Sequence, residues 1–284
     1  MCHIADLHIH SSFSDGTDNV NELILKIKEE GIAAFSVTDH DTYEFYNNLN
    51  NVDLEGLFLI SGIEFSCISK AGKCHILGYG YDINNKSLKN TLFHSKALRT
   101  DKLNNRLKWL KDNYNIILTE KEREYINRLS SVGKPHLAQI LIKRGLANTV
   151  SDAIEKFLSK IPERQDRIDS KEAIDAINIS GGVPVWAHPL GGEGEKRVSE
   201  YEFNEQLDIL IKEGIKGLEC FYSRYNKDEI DFLIKTAEKN NLYISGGSDY
   251  HGEVKNIPIG MLSRDNSFQY NDIVERLTIL KVLL

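Results

Sequence analysis

The chain predicts an α/β fold of barrel-like form interrupted by a helical insertion. Three observations carry this expectation. Short apolar runs alternate with amphipathic stretches toward both ends of the sequence. Histidines and carboxylates gather at or near the ends of the apolar runs. Residues 85–180 lose the alternation and become charged and mostly helical. Strand–helix alternation implies parallel strands with covering helices, and 284 residues suffice for one barrel-sized domain or a domain with an insertion.

Taken in order, "HIADLHI" reads as a strand, and "NVNELILKIKEEG" (19–31) as a helix with apolar spacing near 3.6 and a glycine stop. "IAAFSVTDH" (32–40) is the second strand, and "GLFLISGIEFSCI" (56–68) and "KCHILGYGYD" (73–82) are the next two. Later strands are "GVPVWAHP" (182–189), "IKGLECFY" (215–222) and "LYISGGSD" (242–249), with helices in "SEYEFNEQLDILIKEG" and "NKDEIDFLIKTAEKNN" between them. The stretch from 85 to 168 holds a long helix candidate, "LKNTLFHSKALRTDKLNNRLKWLKDNYN", then "EKEREYINRLS", "KPHLAQILIKRG" and "VSDAIEKFLSK", and no convincing strand. The expected organisation is therefore a discontinuous domain of residues 1–84 and 169–284 with a helical insertion at 85–168, whose exit helix over 170–180 leads back to the strands.

Bulk properties narrow the function. A net charge of −7 gives no general attraction for nucleic acid or an anionic membrane, so an anionic substrate needs a locally positive site. Cys2, Cys67, Cys74 and Cys220 are scattered without a C-x-x-C pattern and read as free thiols of a reducing compartment. No apolar run reaches membrane-spanning length and "MCH" opens no signal peptide; the expectation is a cytoplasmic chain without a membrane partner.

The chemistry concentrates in a few motifs. Side chains alternate along a strand, so His8 and His10 of "DLHIHSSFSDGT" share one face while Leu7 and Ile9 share the other. Two imidazoles so placed can grip one metal ion, and Asp15 can reach in from the loop beyond. An H-x-H alone is equally a surface strand with two solvated histidines. The rest of the chain decides the matter: "VTDHDT" supplies His40 between Asp39 and Asp41, "GIEF" supplies Glu64, "CHILGYG" supplies His75, "VWAHP" supplies His188, and "GGSDYHG" supplies Asp249 and His251. Such a series of strand regions delivering ligand-competent residues points to one shared site at a strand-end rim. Histidine mixed with carboxylate suits Zn, Mn or Fe. Nine ligands exceed what one ion takes, so two or three ions are expected, with a carboxylate such as Glu64 bridging. Ions about 3.5–4 Å apart clamp the attacking and leaving oxygens of a phosphoryl displacement.

In "DLHIHSSFSDG", "TDHD", "GIEF", "CHILGY", "AHP" and "GSDYHG", taken in this order, the chain resembles the polymerase and histidinol phosphatase (PHP) family. The resemblance covers about residues 1–82 and 182–284. It implies a distorted (β/α)7 TIM-like barrel and a trinuclear centre of divalent ions (Mn, Fe or Zn). It implies that His8, His10, Glu64 and Asp249 hold one ion, Glu64, His75 and His188 a second, and Asp15, His40 and His251 a third. The nucleophile it implies is a metal-bound water, with no catalytic side chain beyond the ligands.

The insertion resembles the branch of that family acting on nucleoside 3′,5′-bisphosphates or on the 5′ end of short RNA. Where that branch carries R-P-H, this chain has Lys134-Pro135-His136, and lysine is a point charge where arginine is a bidentate fork. Lys134 and His136 are substrate-binding candidates; the bland alternative is a helix start with proline at its first position. Tyr222, Ser223 and Arg224 of "GLECFYSRYN" are further candidates, against a helix cap with ordinary surface charges, to which Lys227 would also belong. Arg164 and Arg167 of "IPERQDR" read as a solvated face, and the basic residues of the long helix (Lys96, Arg99, Lys102, Arg106, Lys108, Lys111) as a coat interleaved with acids. "GGEGEKR" (191–197) lacks the G-x-G-x-x-G fingerprint and reads as a loop or lid near the site. Trp109 reads as core, and His3 and His94 as structural or exposed. The expected partner is a small phosphorylated nucleotide or short RNA, with no obligate protein partner. Competing readings are a metabolite phosphatase such as one for histidinol phosphate, a DNA exonuclease acting in trans, and a non-catalytic metal-stabilised regulatory scaffold.

Overall fold

The computed structural model describes residues 4–129, 132–162, 167–265, 268 and 270–284; His3 and Arg164 therefore lie outside the described residues. In chain order the elements are β1 (Ile4–Ile9), α1 (Val20–Glu29), β2 (Ile32–Val37), α2 (Glu44–Asn47), β3 (Phe58–Leu59), β4 (Gly62–Ser69) and β5 (Gly72–Tyr79). Then come α3 (Lys86–Tyr114), α4 (Glu120–Arg128), α5 (Lys134–Lys143), α6 (Val150–Ala153) with a π turn at Ile154–Leu158, β6 (Ile168–Asp169) and α7 (Ser170–Ile179). The chain closes with β7 (Val183–Trp186), α8 (Glu200–Glu213), β8 (Gly217–Tyr222), α9 (Lys227–Lys239), β9 (Tyr243–Gly247), α10 (Tyr270–Arg276) and α11 (Leu280–Leu283).

The strands form two sheets, ordered β1-β2-β3 and β6-β4-β5-β7-β8-β9. Single bridges, Ile9 to Tyr250 and His40 to Glu64, link them. The α/β class is as expected, with three departures in detail. The apolar run 56–68 is not one strand: it breaks at residues 60–61 into β3 and β4, which belong to different sheets. The stretch read as strand-free contains β6, whose two residues pair in parallel with Cys67 and Ile68. The strands are not all parallel, because β5 folds back on β4 through a tight turn and runs antiparallel to both β4 and β7.

That reversal positions the site. His8 comes near the end of β1, and His40, His188 and Asp249 follow β2, β7 and β9, whereas Glu64 lies early in β4 and His75 in the first half of β5, opposite Ser66 of β4. Running β5 backwards brings its early residues to the level where the other strands deliver theirs.

Two apolar clusters flank the strands. Leu7, Ile63, Phe65 and Tyr79 belong to the larger, and Ile9 packs with Leu23, Ile27, Phe35 and Val37 in the other. Helix α1 turns its stripe of Leu23, Ile24 and Ile27 inward and starts at Asn19, whose side chain accepts from Asn21 and Glu22 while Glu22 reaches back. Leu88 and Leu92 at the start of α3 join the larger cluster, but Leu110 near its end packs with Leu118, Ile126, Leu137, Ile140 and Leu158 in a separate core. One helix of 29 residues thus spans two cores. Trp109 is half-buried there and donates to the Phe157 carbonyl at 3.1 Å, in keeping with a packing role. His94 is exposed and meets Glu172 at 3.0 Å. Among the described residues no helix is long and apolar enough to cross a membrane.

The separate core is pinned by Arg144, which grips Glu122 with Nε (2.8 Å) and Nη2 and reaches the Ile117 carbonyl at 2.8 Å. The Arg144 hydrogen bonds hold the Glu122 carboxyl down at about 2, below its ordinary 4.5. A carboxyl depressed on folding contributes stability that is complete above about 4.5 and disappears as the pH falls through about 2. Glu122→Gln is expected to cost about 1 kcal/mol at pH 7, the gap to wild type closing between pH 4.5 and 2. Urea unfolding at a series of pH values measures this, and a gap independent of pH would assign the effect to packing.

Candidate metal centre

The structure gathers all nine ligand-competent residues. His8 Nε2 and His10 Nε2 approach Glu64 Oε2 at 3.4 and 3.2 Å and Asp249 Oδ1 at 3.6 and 3.3 Å. On the other side of the same carboxylate, Glu64 Oε1 lies 2.9 Å from His75 Nδ1 and 3.1 Å from His188 Nε2, and those two nitrogens are 3.2 Å apart. A third set surrounds Asp15: His251 Nε2 at 3.3 Å, His40 Nε2 at 3.7 Å and His10 Nδ1 at 3.5 Å. Donors sharing one tetrahedral ion at about 2.0–2.1 Å stand about 3.3 Å apart, so the spacings suit sets of ligands converging on common points. The three sets interlock more than the resemblance implied. His10 faces Asp15 as well as Asp249, and His40 turns its Nδ1 to Glu64 Oε2 at 3.1 Å.

The donor chemistry also fits cations. His8 Nε2, His10 Nε2, His40 Nδ1 and Asp15 Oδ1 are buried atoms with no hydrogen-bond partner, a costly condition that an ion bound among them would relieve. Burial pushes Glu64 up, but the imidazoles of His40, His75 and His8 outweigh it and hold the carboxyl well below its usual range. Asp249 is likewise held well below its usual range against burial, by Lys255, His251 and His8. Burial pushes His40 down to about 3 and lowers His75, leaving both neutral with lone pairs to offer.

Around the ligands stands a set of buried partners. His8 Nδ1 meets Glu219 Oε1 at 2.8 Å, which aims Nε2 into the site, and Glu219 Oε2 accepts the His188 backbone N–H at 2.6 Å. Asp6 accepts from the backbone N–H groups of His8, Ser248 and Gly260 and from the Ser248 hydroxyl, tying β1 to the loop after β9. Asp39 accepts from the Ser11 N–H and from the hydroxyls of Ser11 and Ser14, fixing the turn that carries Asp15. Gly247 lets β1 approach: a Cβ there would stand 2.2 Å from His8 Cβ. His188 and Asp249 hold left-handed backbone, φ 29° and 56°, strain of a kind that gathers at functional sites.

The substrate candidates are placed as follows. His136 is half-buried near the N-terminus of α5, accepts from the Gly133 N–H at 3.0 Å, and is lowered by burial although Asp15 raises it. Gly133 itself lines a cleft with Asp15, His40 and His75, so this end of the insertion overhangs the ligands. Lys134 begins α5 beside it. Tyr222 donates to Asp249 Oδ2 at 2.7 Å and accepts from the Glu193 N–H. Ser223 is buried, its Oγ without a partner. Arg224 donates to the carbonyls of Gly192 and Glu195 and so pins the 191–197 loop. That loop borders the site through Glu195, 3.7 Å from His188 Nδ1. Lys227 pairs with Asp231 on the surface. Arg99 is not a coat residue: it binds Asp41 and, at 2.8 Å, the Ser66 hydroxyl. Arg106 is buried.

Sequence reasoning missed Glu219 and Lys255, and read Arg167 as a solvated face. Lys255 Nζ sits 2.7 Å from Asp249 Oδ2 and lines the ligand cleft; Arg167 is no solvated face, since its Nε and Nη1 are buried. A glutamate inside the apolar run "GLECFY" was the one available signal for Glu219.

The comparisons with known proteins agree with this geometry. The PHP domain model matches residues 6–169. The chain is 26% identical to the 5′-3′ exoribonuclease Rnm of Escherichia coli (strain K12) over 90% of its length and 88% of that protein. It is 26% identical to the phosphoribosyl 1,2-cyclic phosphate 1,2-diphosphodiesterase of Eggerthella lenta over 90% and 97%, and 23% identical to the 3′,5′-nucleoside bisphosphate phosphatase of Chromobacterium violaceum over 87% and 86%. Among solved structures, a Bifidobacterium adolescentis protein assigned as a metal-dependent phosphoesterase superposes with a TM-score of 0.79 at 26% identity, covering 98% of this chain and 96% of that one. The chain belongs to the PHP family and is a metal-dependent phosphoric ester hydrolase.

Glu219→Gln keeps the shape of the side chain but removes the charge behind His8. It is expected to weaken metal retention about 10- to 100-fold, read by metal analysis after dialysis against graded chelator. Retention equal to wild type would reduce Glu219 to a packing residue.

Proposed function

We propose that the protein hydrolyses a phosphate ester of a small nucleotide, or the 5′ end of short RNA, at a trinuclear centre. The observation that carries this reading is the two-sided environment of Glu64, whose oxygens face two separate groups of imidazoles while Asp15 organises a third. On this reading His8, His10, Glu64 and Asp249 hold one ion, Glu64, His75 and His188 the second, and Asp15, His40 and His251 the third. When bound, such ions would neutralise phosphoryl charge and make a water nucleophilic near neutral pH. The chain's own residues supply the rest. Glu219 orients His8, Tyr222 and Lys255 fix the outer oxygen of Asp249, and Glu195 stands beside His188.

The nucleotide substrate class is supported by the relatives, named for an exoribonuclease, a cyclic phosphodiesterase and a bisphosphate phosphatase. Residues 85–168 would act as a cap, with Lys134, His136, Tyr222 and Ser223 toward the substrate and Arg224 acting through the loop it pins. The strand neighbours β1, β2, β4, β5, β7, β8 and β9, with the bridges at Ile9 and His40 as seams, support a distorted (β/α)7 barrel.

Manganese-loaded protein is expected to release mononucleotides stepwise from a 5′-phosphorylated oligoribonucleotide or phosphate from adenosine 3′,5′-bisphosphate, and to act poorly on histidinol phosphate. His8→Ala is expected to retain roughly a hundredth of the activity or less. Product chromatography checks both, and preferred turnover of histidinol phosphate would replace the nucleotide reading with the metabolite one.

A further inference from the structure

Asp41 directly follows His40, at the place where the rim of the site meets the insertion. Its backbone is left-handed, φ 53°, a conformation that the surroundings of a non-glycine residue must hold. The backbone N–H of Asp41 donates to the Glu64 carbonyl at 3.0 Å. Its Oδ1 accepts from the Ser66 N–H at 3.2 Å and from the Ser95 hydroxyl at 2.7 Å. Its Oδ2 is gripped by Nε and Nη2 of Arg99, and the same Nη2 donates to the Ser66 hydroxyl at 2.8 Å. Asp41 and Ser95 are both buried.

Two of these partners come from the insertion. Ser95 and Arg99 stand one turn apart on α3 and so share a face. They lie where that helix passes between cores: Leu92 and Leu98 pack with the larger cluster, Leu103 and Leu107 with the separate one. One step back in the chain from the gripped carboxylate, His40 turns Nδ1 to Glu64 at 3.1 Å and Nε2 toward Asp15 at 3.7 Å. A ring that must serve both carboxylates needs its backbone fixed on either side. Strand β2 fixes it before His40, and the clamp on Asp41 fixes it after. We infer that Arg99, assisted by Ser95, is a positioning residue: through Asp41 it holds His40 in the set around Asp15, and the insertion thereby helps to build the metal centre that it overhangs. This rests on the metal-centre reading above.

The test compares wild type with Arg99→Ala, Arg99→Lys, Ser95→Ala and the double variant Arg99→Met/Asp41→Asn. Removing Arg99 alone strands a buried charge and threatens the fold, whereas the double variant removes both charges. Ser95→Ala keeps both. Circular dichroism melting identifies the folded variants, and manganese is measured after dialysis against graded chelator. In Arg99→Ala and the double variant, one of the manganese ions held by wild type is expected to be retained about tenfold less tightly, the others as before. Arg99→Lys should recover part of the loss, since an ammonium keeps the charge but not the fork, and Ser95→Ala should weaken the same ion less. Wild-type retention in every folded variant, or loss of all ions together, overturns the positioning role and leaves the metal centre standing. If wild type itself holds no manganese, the metal reading has failed. NMR of the metal-free proteins, isotope-labelled at histidine, then decides. Ring signals of His40, identified by their absence in His40→Gln, should shift in the Arg99 variants while those of His188 stay in place; unmoved His40 signals overturn the inference.

Discussion

One buried carboxylate organises the molecule. Glu64 is 1% exposed and lies within 3.4 Å of ring nitrogens of His8, His10, His40, His75 and His188. A carboxylate in that position is tolerable only if it is paired or hydrogen-bonded, and the ring nitrogens facing it arrive on β1, β5 and the segments after β1, β2 and β7. The carboxylate is therefore a constraint on topology. Every strand that contributes must end, start or reverse at the height of Glu64.

The reversal of β5 and the split after β3 follow from that constraint. If residues 56–68 continued as one strand, β4 would stay in the sheet of β1 and β2. The break at residues 60–61 lets the chain leave that sheet, and the His40–Glu64 bridge then brings the end of β2 against β4 again. On the opposite side, Gly247 admits β1 against β9, and Asp6 locks the contact with four hydrogen bonds from three residues. The cost of this convergence is visible in the left-handed backbone at His188 and Asp249, strain that the surrounding hydrogen bonds must hold.

The ligand-competent residues were legible in the sequence because each is a polar intrusion at the edge of an apolar run, and six of nine histidines intrude this way. The helices were legible through caps such as Asn19 and Ser199 and through their apolar stripes. Strand direction was not, since alternation of side chains reads the same in both directions, and only the position of His75 early in its run hinted at the reversal of β5. The two-residue strands β3 and β6 carry too few residues for any period. Glu219 and Lys255 were hidden for a different reason. Glu219 matters through His8, distant in sequence, and Lys255 through Asp249 across a loop that follows no period.

The division of labour among charges follows from the same geometry. The protein is acidic as a whole, yet the cations nearest the ligands are held at specific distances and not spread as a field. Lys255 is bound to Asp249, Arg99 to Asp41, and Arg224 to the backbone of the 191–197 loop. Each of these positive groups is committed to structure, so on the proposed reading the attraction for a phosphate would rest chiefly on ions held by the nine candidate residues.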